Sequence, residues 1–149
     1  MDLNIFSNRK DDVKYMWFWW FMFVCNLLIP LLMIIFGRWM WKRCPEAINI
    51  AFGYRTKRSM TNMDTWKFAH EYCGKLWWKT GWIMLMPTIV AQIPFFHSNE
   101  DMVGNVGGII SMIHVVVLIV SIFPTEIALK KNFYEDGRRK EYAVKKNRC

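Results

Sequence analysis

Cysteine is scarce in this 149-residue chain. The four residues Cys25, Cys44, Cys73 and Cys149 include no CxxC pair. A zinc framework of ordinary spacing is therefore missing, and His70 with Cys73, three apart on one helical face, would still lack two ligands. No metal and no other cofactor is expected. Acidic residues are also few, 12 against 20 Lys and Arg, which leaves a net charge of +8. There is no HExxH, no Ser-His-Asp set, no phosphate-cradling glycine loop and no close carboxylate pair, so no enzymatic activity is expected. Internal repeats and low-complexity segments are absent. The positive charge could point to nucleic acid, but the basic residues are grouped beside apolar runs. That grouping is the flanking pattern of membrane spans, and no direct nucleic-acid partner is expected.

What the chain has in excess is apolar and aromatic surface: 54% hydrophobic residues, with nine Trp and eleven Phe. It falls in three uncharged runs. Residues 1–14 are polar and mixed in charge, and the run 15–36 then holds 22 residues without a charge. As a helix rising 1.5 Å per residue it would be about 33 Å long, enough for a hydrocarbon core of roughly 30 Å. It is too long for a signal-peptide core and no small-x-small cleavage site follows, so it reads as a retained span. Trp17, Trp19 and Trp20 at one end and Trp39 and Trp41 at the other fit interfacial aromatic belts. Residues 80–96 form a second span and 106–125 a third, separated by a polar loop, 97–105, that carries two acids and no Lys or Arg. Pro30 is expected to kink the first span.

Between the first two spans lies a basic connector, residues 37–79. Its second part, about 62–79, carries Trp66, Ala69, Cys73, Leu76 and Trp77 at three- and four-residue steps, with Lys67, His70, Glu71 and Lys75 on other faces. That periodicity predicts an amphipathic helix lying in the headgroup region. Thr61-x-x-Asp64 has capping-box spacing, with Asn62 as an alternative cap. The expected fold class is an all-α integral membrane protein of three transmembrane helices plus one cytoplasmic amphipathic interfacial helix. Charge sets the orientation. Seventeen of the twenty Lys and Arg lie in the connector and the tail, 126–149, and three lie in residues 1–14. The positive-inside rule then places the N-terminus outside and the C-terminus in the cytoplasm, where disulfides are not expected. Spans this few bury little against one another, so a homo-oligomer or a larger partner is expected.

The connector also carries a motif that no apolar period explains: Asn49, the run Gly53-Tyr54-Arg55-Thr56, Ser59-Met60, Asn62 and Trp66. Together these residues resemble the signature of the sporulation-delay toxin immunity family (SdpI), bacterial multi-pass membrane proteins. A second likeness follows the last apolar run, PTEIALKKNFYEDGRRK, so that the resemblance covers about residues 45–140. It implies location in the bacterial cell membrane and protection of a producer against a membrane-active peptide toxin. It also implies capture of a cytoplasmic repressor when toxin is present.

Within the motif, Arg55 is the leading candidate. Its planar fork suits a phosphate or carboxylate, so it could clamp a lipid headgroup or an acidic partner, or instead bridge to Asp64 or Glu126 within the chain. Asn49, Tyr54, Thr56 and Asn62 read as hydrogen-bonding residues that fix the loop, and Trp66 as an anchor for the amphipathic helix. Arg55, Lys57 and Arg58 together read as a patch for anionic lipid headgroups. Polar side chains within the spans raise a functional question by their cost in lipid. These are Asn26, Gln92 and His114, the last read as a neutral histidine bonded to Gln92 or to a neighbouring helix's carbonyl. Glu126, at the inner interface, is expected to pair with Lys130 four residues on. Two other functions remain open from sequence: a small oligomeric transporter or channel with Gln92 and His114 lining a path, and a lipid-headgroup enzyme using the connector.

Overall fold

The computed structural model describes residues 3–43, 47–48 and 53–140, and Asn49 lies outside them. Four α-helices and one 3₁₀ turn are found among the described residues, and an isolated bridge is their only β-pairing. Helix α1, Leu3–Lys42, is continuous through Pro30. Residues 3–14 of the polar N-terminal segment are part of the same helix. Helix α2, Met63–Gln92, joins the expected amphipathic helix and most of the second span in one 30-residue element. It stops before the Ile93–Phe95 turn, because Pro94 has no N–H to continue the ladder. Helix α3, Glu100–Val120, starts earlier than expected, capped by the Asn99 side chain on the Met102 N–H. Helix α4, Ile122–Asn132, follows after a break at Ser121. Pro124 explains the break. Its ring excludes the carbonyl of Val120 from a helical bond, so the expected third span, 106–125, is divided between two helices.

Contacts along the helices give their directions. Gly74 abuts Trp41, Gly81 abuts Pro30 and Ile34, and Gln92 reaches Trp19 and Asn26, so α2 runs antiparallel to α1. Lys14 pairs with Glu100 at 3.1 Å, Gly104 faces Phe18 and Ser111 reaches Asn26, so α3 runs parallel to α1. The α1–α2 crossing depends on glycine. A Cβ on Gly37 would lie 2.5 Å from the Trp78 backbone nitrogen, and one on Gly74 would lie 2.6 Å from that of Trp41. Small residues let two backbones approach this closely in a membrane.

Two helical stretches, Met16–Lys42 and Glu100–Asn132, are long and apolar enough to cross a membrane. The stripe on the first half of α2 faces protein rather than an interface. Trp66 and Ala69 are fully buried, and Ala69 and Cys73 join Met40, Tyr54, Leu129 and Phe133 in a core at one end of the bundle. α4 and the connector supply the cover that periodicity alone could not reveal.

A latched loop as the candidate functional site

The connector's motif folds onto the start of α2 and onto α4. Gly53 has φ +112°, a conformation that favours glycine, and a Cβ there would lie 2.0 Å from Nε2 of His70. The absent side chain lets the Tyr54 N–H donate to His70 Nε2 at 3.3 Å. The other ring nitrogen, Nδ1, lies 2.8 Å from the Trp66 carbonyl. A carbonyl only accepts and a backbone N–H only donates, so the proton sits on Nδ1 and the ring is neutral. Burial holds the His70 pKa below its usual value, with the Trp66 carbonyl opposing. The Trp66 indole packs on this ring, centroids 4.1 Å apart. Both ring nitrogens of His70 are thus committed, Nδ1 to its own helix and Nε2 to the loop.

Next in the loop, Thr56 and Ser59 close on each other. The Thr56 N–H donates to Ser59 Oγ at 2.9 Å, and the Ser59 N–H donates to Thr56 Oγ1 at 3.2 Å. Ser59 Oγ in turn donates to the Tyr54 carbonyl at 2.8 Å. This local closure leaves two hydroxyls facing Glu126 of α4. Thr56 Oγ1 donates to Glu126 Oε2 at 3.2 Å, and Tyr54 Oη lies 3.2 Å from the Ile122 carbonyl and 3.5 Å from the same carboxylate oxygen. Burial first, and the Glu126 charge second, push the Tyr54 pKa well above the usual phenol value, so it stays a donor. Arg58 completes the group. Its Nε is 3.6 Å from Glu126 Oε1 and its Nη2 is 2.9 Å from Glu135 Oε1.

The start of α2 is fixed by a capping box between Asn62 and Thr65, so the cap is Asn62, the alternative expected beside the Thr61–Asp64 pairing. The Thr65 N–H donates to Asn62 Oδ1 at 2.9 Å, and the Asn62 N–H to Thr65 Oγ1 at 3.1 Å. The spare amide of Asn62 donates to the Gly137 carbonyl at 2.9 Å. Gly137, with φ +82°, turns the short hairpin in which Phe133 bridges Arg139. One side chain therefore ties the helix start to the segment after α4.

Several expected roles move. Arg55 is exposed, and the cation at Glu126 is Arg58, which the sequence offered only as one charge of a patch. Glu126 faces the loop and Arg58 rather than Lys130, which is exposed. Tyr54, Thr56 and Asn62 make the loop's hydrogen bonds, and Trp66, expected as the anchor of the helix, is fully buried against His70. Ser59, Thr65, His70 and Gly137 belong with them. An Asn-x-x-Thr capping pattern was readable in advance, whereas the His70 contact spans 16 residues and no local pattern announces it.

A family model for the SdpI/YfhL protein family matches residues 47–125, which takes in the loop, α2, α3 and the start of α4 and ends one residue before Glu126. The chain belongs to the SdpI family. With two helices able to cross a bilayer, it is an SdpI-like membrane protein. Curated proteins and solved structures give no match.

The polar residues of the SdpI chain's expected spans are also joined. Asn26 Nδ2 donates to Gln92 Oε1 at 3.1 Å, and Ser111 Oγ donates to Asn26 Oδ1 at 2.7 Å. Gln92 Nε2 returns to the Thr88 carbonyl at 3.1 Å, and Trp19 Nε1 donates to the Gln92 carbonyl at 3.1 Å. His114 meets a neighbouring helix as expected, but through the Thr88 hydroxyl, at 2.9 Å, rather than through a carbonyl or Gln92. These bonds tie α1, α2 and α3 together at a depth where unpaired polar groups are costly.

Proposed function

We propose that this protein is a membrane immunity protein. It protects a bacterium against a membrane-active peptide toxin, by binding the toxin or by holding a cytoplasmic repressor, without catalytic turnover. The observation that supports this most is the latch. The family-matched loop spends its polar groups on Glu126, His70 and the start of α2, an arrangement suited to signalling between a loop and the helices it closes. In this reading α2 is a second membrane span. Its second half presents exposed Trp82, Ile83, Met86 and Val90, which lipid or a second copy of the chain would cover. The N-terminus is then outside. Exposed Lys42, Arg43, Arg55, Lys57, Lys130 and Lys131 lie at the cytoplasmic end, where anionic headgroups or an acidic partner surface would meet them.

The test is survival of toxin-exposed cells that express the protein. Wild type should protect. Glu126→Gln and Arg58→Gln should lose protection at normal protein level, and Lys57→Ala should retain it. Failure of wild type to protect, together with solute flux in proteoliposomes, would favour the transporter reading. The Asn26–Gln92 bond and the nearby Thr88–His114 bond are what support that reading. Headgroup turnover by purified protein would instead favour the enzyme.

A further inference from the structure

His70 is fully buried, and it holds the loop in one protonation state only. Nδ1–H donates to the Trp66 carbonyl at 2.8 Å, and Nε2 accepts the Tyr54 N–H at 3.3 Å. A proton added at Nε2 would face that N–H, donor against donor, so the closed loop and a charged ring exclude each other. The ring cannot turn away, because the Gly53 backbone lies against Nε2 and the Trp66 indole packs on the ring. Its surroundings offer the charge no partner among the described residues. Tyr54 is the ionisable residue bonded to it, and the phenol points instead to Glu126 and stays protonated. Burial holds Cys73, three residues on, as a thiol. Met40 of α1, Leu129 of α4 and Phe133, packed with Tyr54 and Cys73, carry no charge. Lys67 and Glu71, beside His70 on α2, are exposed. Glu126 meets the loop at Thr56, Tyr54 and Arg58, and as a carboxylate it is the rival proton acceptor.

We propose that His70 is a proton-operated catch: proton uptake at Nε2 frees the loop, residues 53–59, from α2 and α4 while the helices stay packed. Because the ring is fully buried, the open form takes up the proton, and acid acts by shifting the balance between closed and open. One proton is bound on opening, so below the ordinary histidine pKa of about 6.5 the open fraction rises by up to about tenfold per pH unit. Burial holds the pKa of the closed ring lower, and the rise ends there. Opening carries Tyr54, Thr56 and Arg58 away from Glu126, which gives the latch a trigger, acidification on the loop's side of the membrane. In that use the proposal rests on the immunity reading. The opening itself is a property of the chain and is measured without toxin, so either can fail alone.

The test is amide hydrogen exchange, read residue by residue by NMR on the full-length protein in lipid nanodiscs, between about pH 6.5 and about pH 5. Where opening does not depend on pH, the exchange rate follows hydroxide and falls about tenfold per pH unit. At Tyr54, Thr56 and Ser59, whose N–H groups bond within the closed loop, the rising open fraction should offset that fall and leave the rate nearly constant. At Phe133, whose N–H bonds to the Leu129 carbonyl at the end of α4, the rate should fall in full. His70→Gln keeps an acceptor near Nε2 but does not titrate, so it should restore the full fall in a loop still protected at neutral pH. Glu126→Gln removes the rival acceptor and should leave the loop rates flat; it decides the matter if His70→Gln loses the loop's protection altogether. A full fall at the wild-type loop amides would overturn the proposal, and so would a flat rate at Phe133, which means wider unfolding. Flat loop rates in His70→Gln, or a full fall in a protected Glu126→Gln loop, would overturn it by making another group the sensor.

Discussion

The Arg58–Glu126 contact is the part of the latch whose strength can be worked out from geometry. The separation is 3.6 Å, and the two side chains are 28% and 27% exposed. At that distance two unit charges attract by about 1 kcal/mol in a water-like dielectric and about 4–5 kcal/mol at an effective dielectric near 20. Exposed pairs usually deliver about 0.2–1 kcal/mol once side-chain ordering and solvent screening are counted. With both groups about a quarter exposed, a coupling of about 1–2 kcal/mol is the expected result. The measurement is a double-mutant cycle of Arg58→Gln and Glu126→Gln, followed by chemical unfolding of the detergent-solubilised protein. Glutamine is isosteric with Glu126 and leaves a shorter, uncharged hydrogen-bonding side chain at position 58, and effects particular to either single change cancel in the cycle. Arg58 also keeps Glu135 in the Glu126→Gln variant, and that contact drops out of the cycle. The two changes together should cost less than the sum of the single ones by the coupling energy. Additivity within about 0.3–0.5 kcal/mol would refute the reasoning, because it is what non-interacting sites show.

Three further outcomes follow from the same contacts. Gly74→Ala should lower protein accumulation and cost about 1–3 kcal/mol or more, as overpacking does, because its Cβ would meet the Trp41 and Gly37 backbones; normal melting of this variant would mean that α1 and α2 cross elsewhere. Gly53→Ala should release the Tyr54–His70 bond and lose protection, read as new proteolytic cleavage in the loop and reduced survival. His70 should make stability fall as the pH drops below about 6.5. Its folded pKa is depressed, so below the unfolded value the unfolded chain binds more protons. The contribution is full above that value and is lost on the way down to the folded pKa, and the acid slope should flatten in His70→Gln.

How much of this was legible beforehand can be traced residue by residue. The three uncharged runs and the helix start near residue 62 follow from local composition. Each depends on neighbours a few positions away, through periodicity, capping and backbone freedom. The division of the third run at Ser121 was also local, since Pro124 stood in plain view, but a 20-residue uncharged stretch reads as one span before the proline is weighed. The choice between Arg55 and Arg58 was not local. Both sit in one loop and carry the same fork, and only the return of α4 to the loop decides which meets Glu126.

By itself, then, the sequence determined an all-α chain of the SdpI family with apolar helices, a basic connector and a hydrogen-bonding motif. Local periodicity, charge placement and side-chain chemistry were enough for that. Tertiary structure decided what those residues face. It turned the stripe on α2 from a membrane-facing surface into a protein core, because Met40 of α1, Tyr54 of the connector, Leu129 of α4 and Phe133 pack with Ala69 and Cys73. It also gave Glu126 the partners Tyr54, Thr56 and Arg58, which lie about seventy positions away. The physical reason is that a helical period specifies which side of a helix is apolar, while what covers that side depends on chain segments far away in sequence.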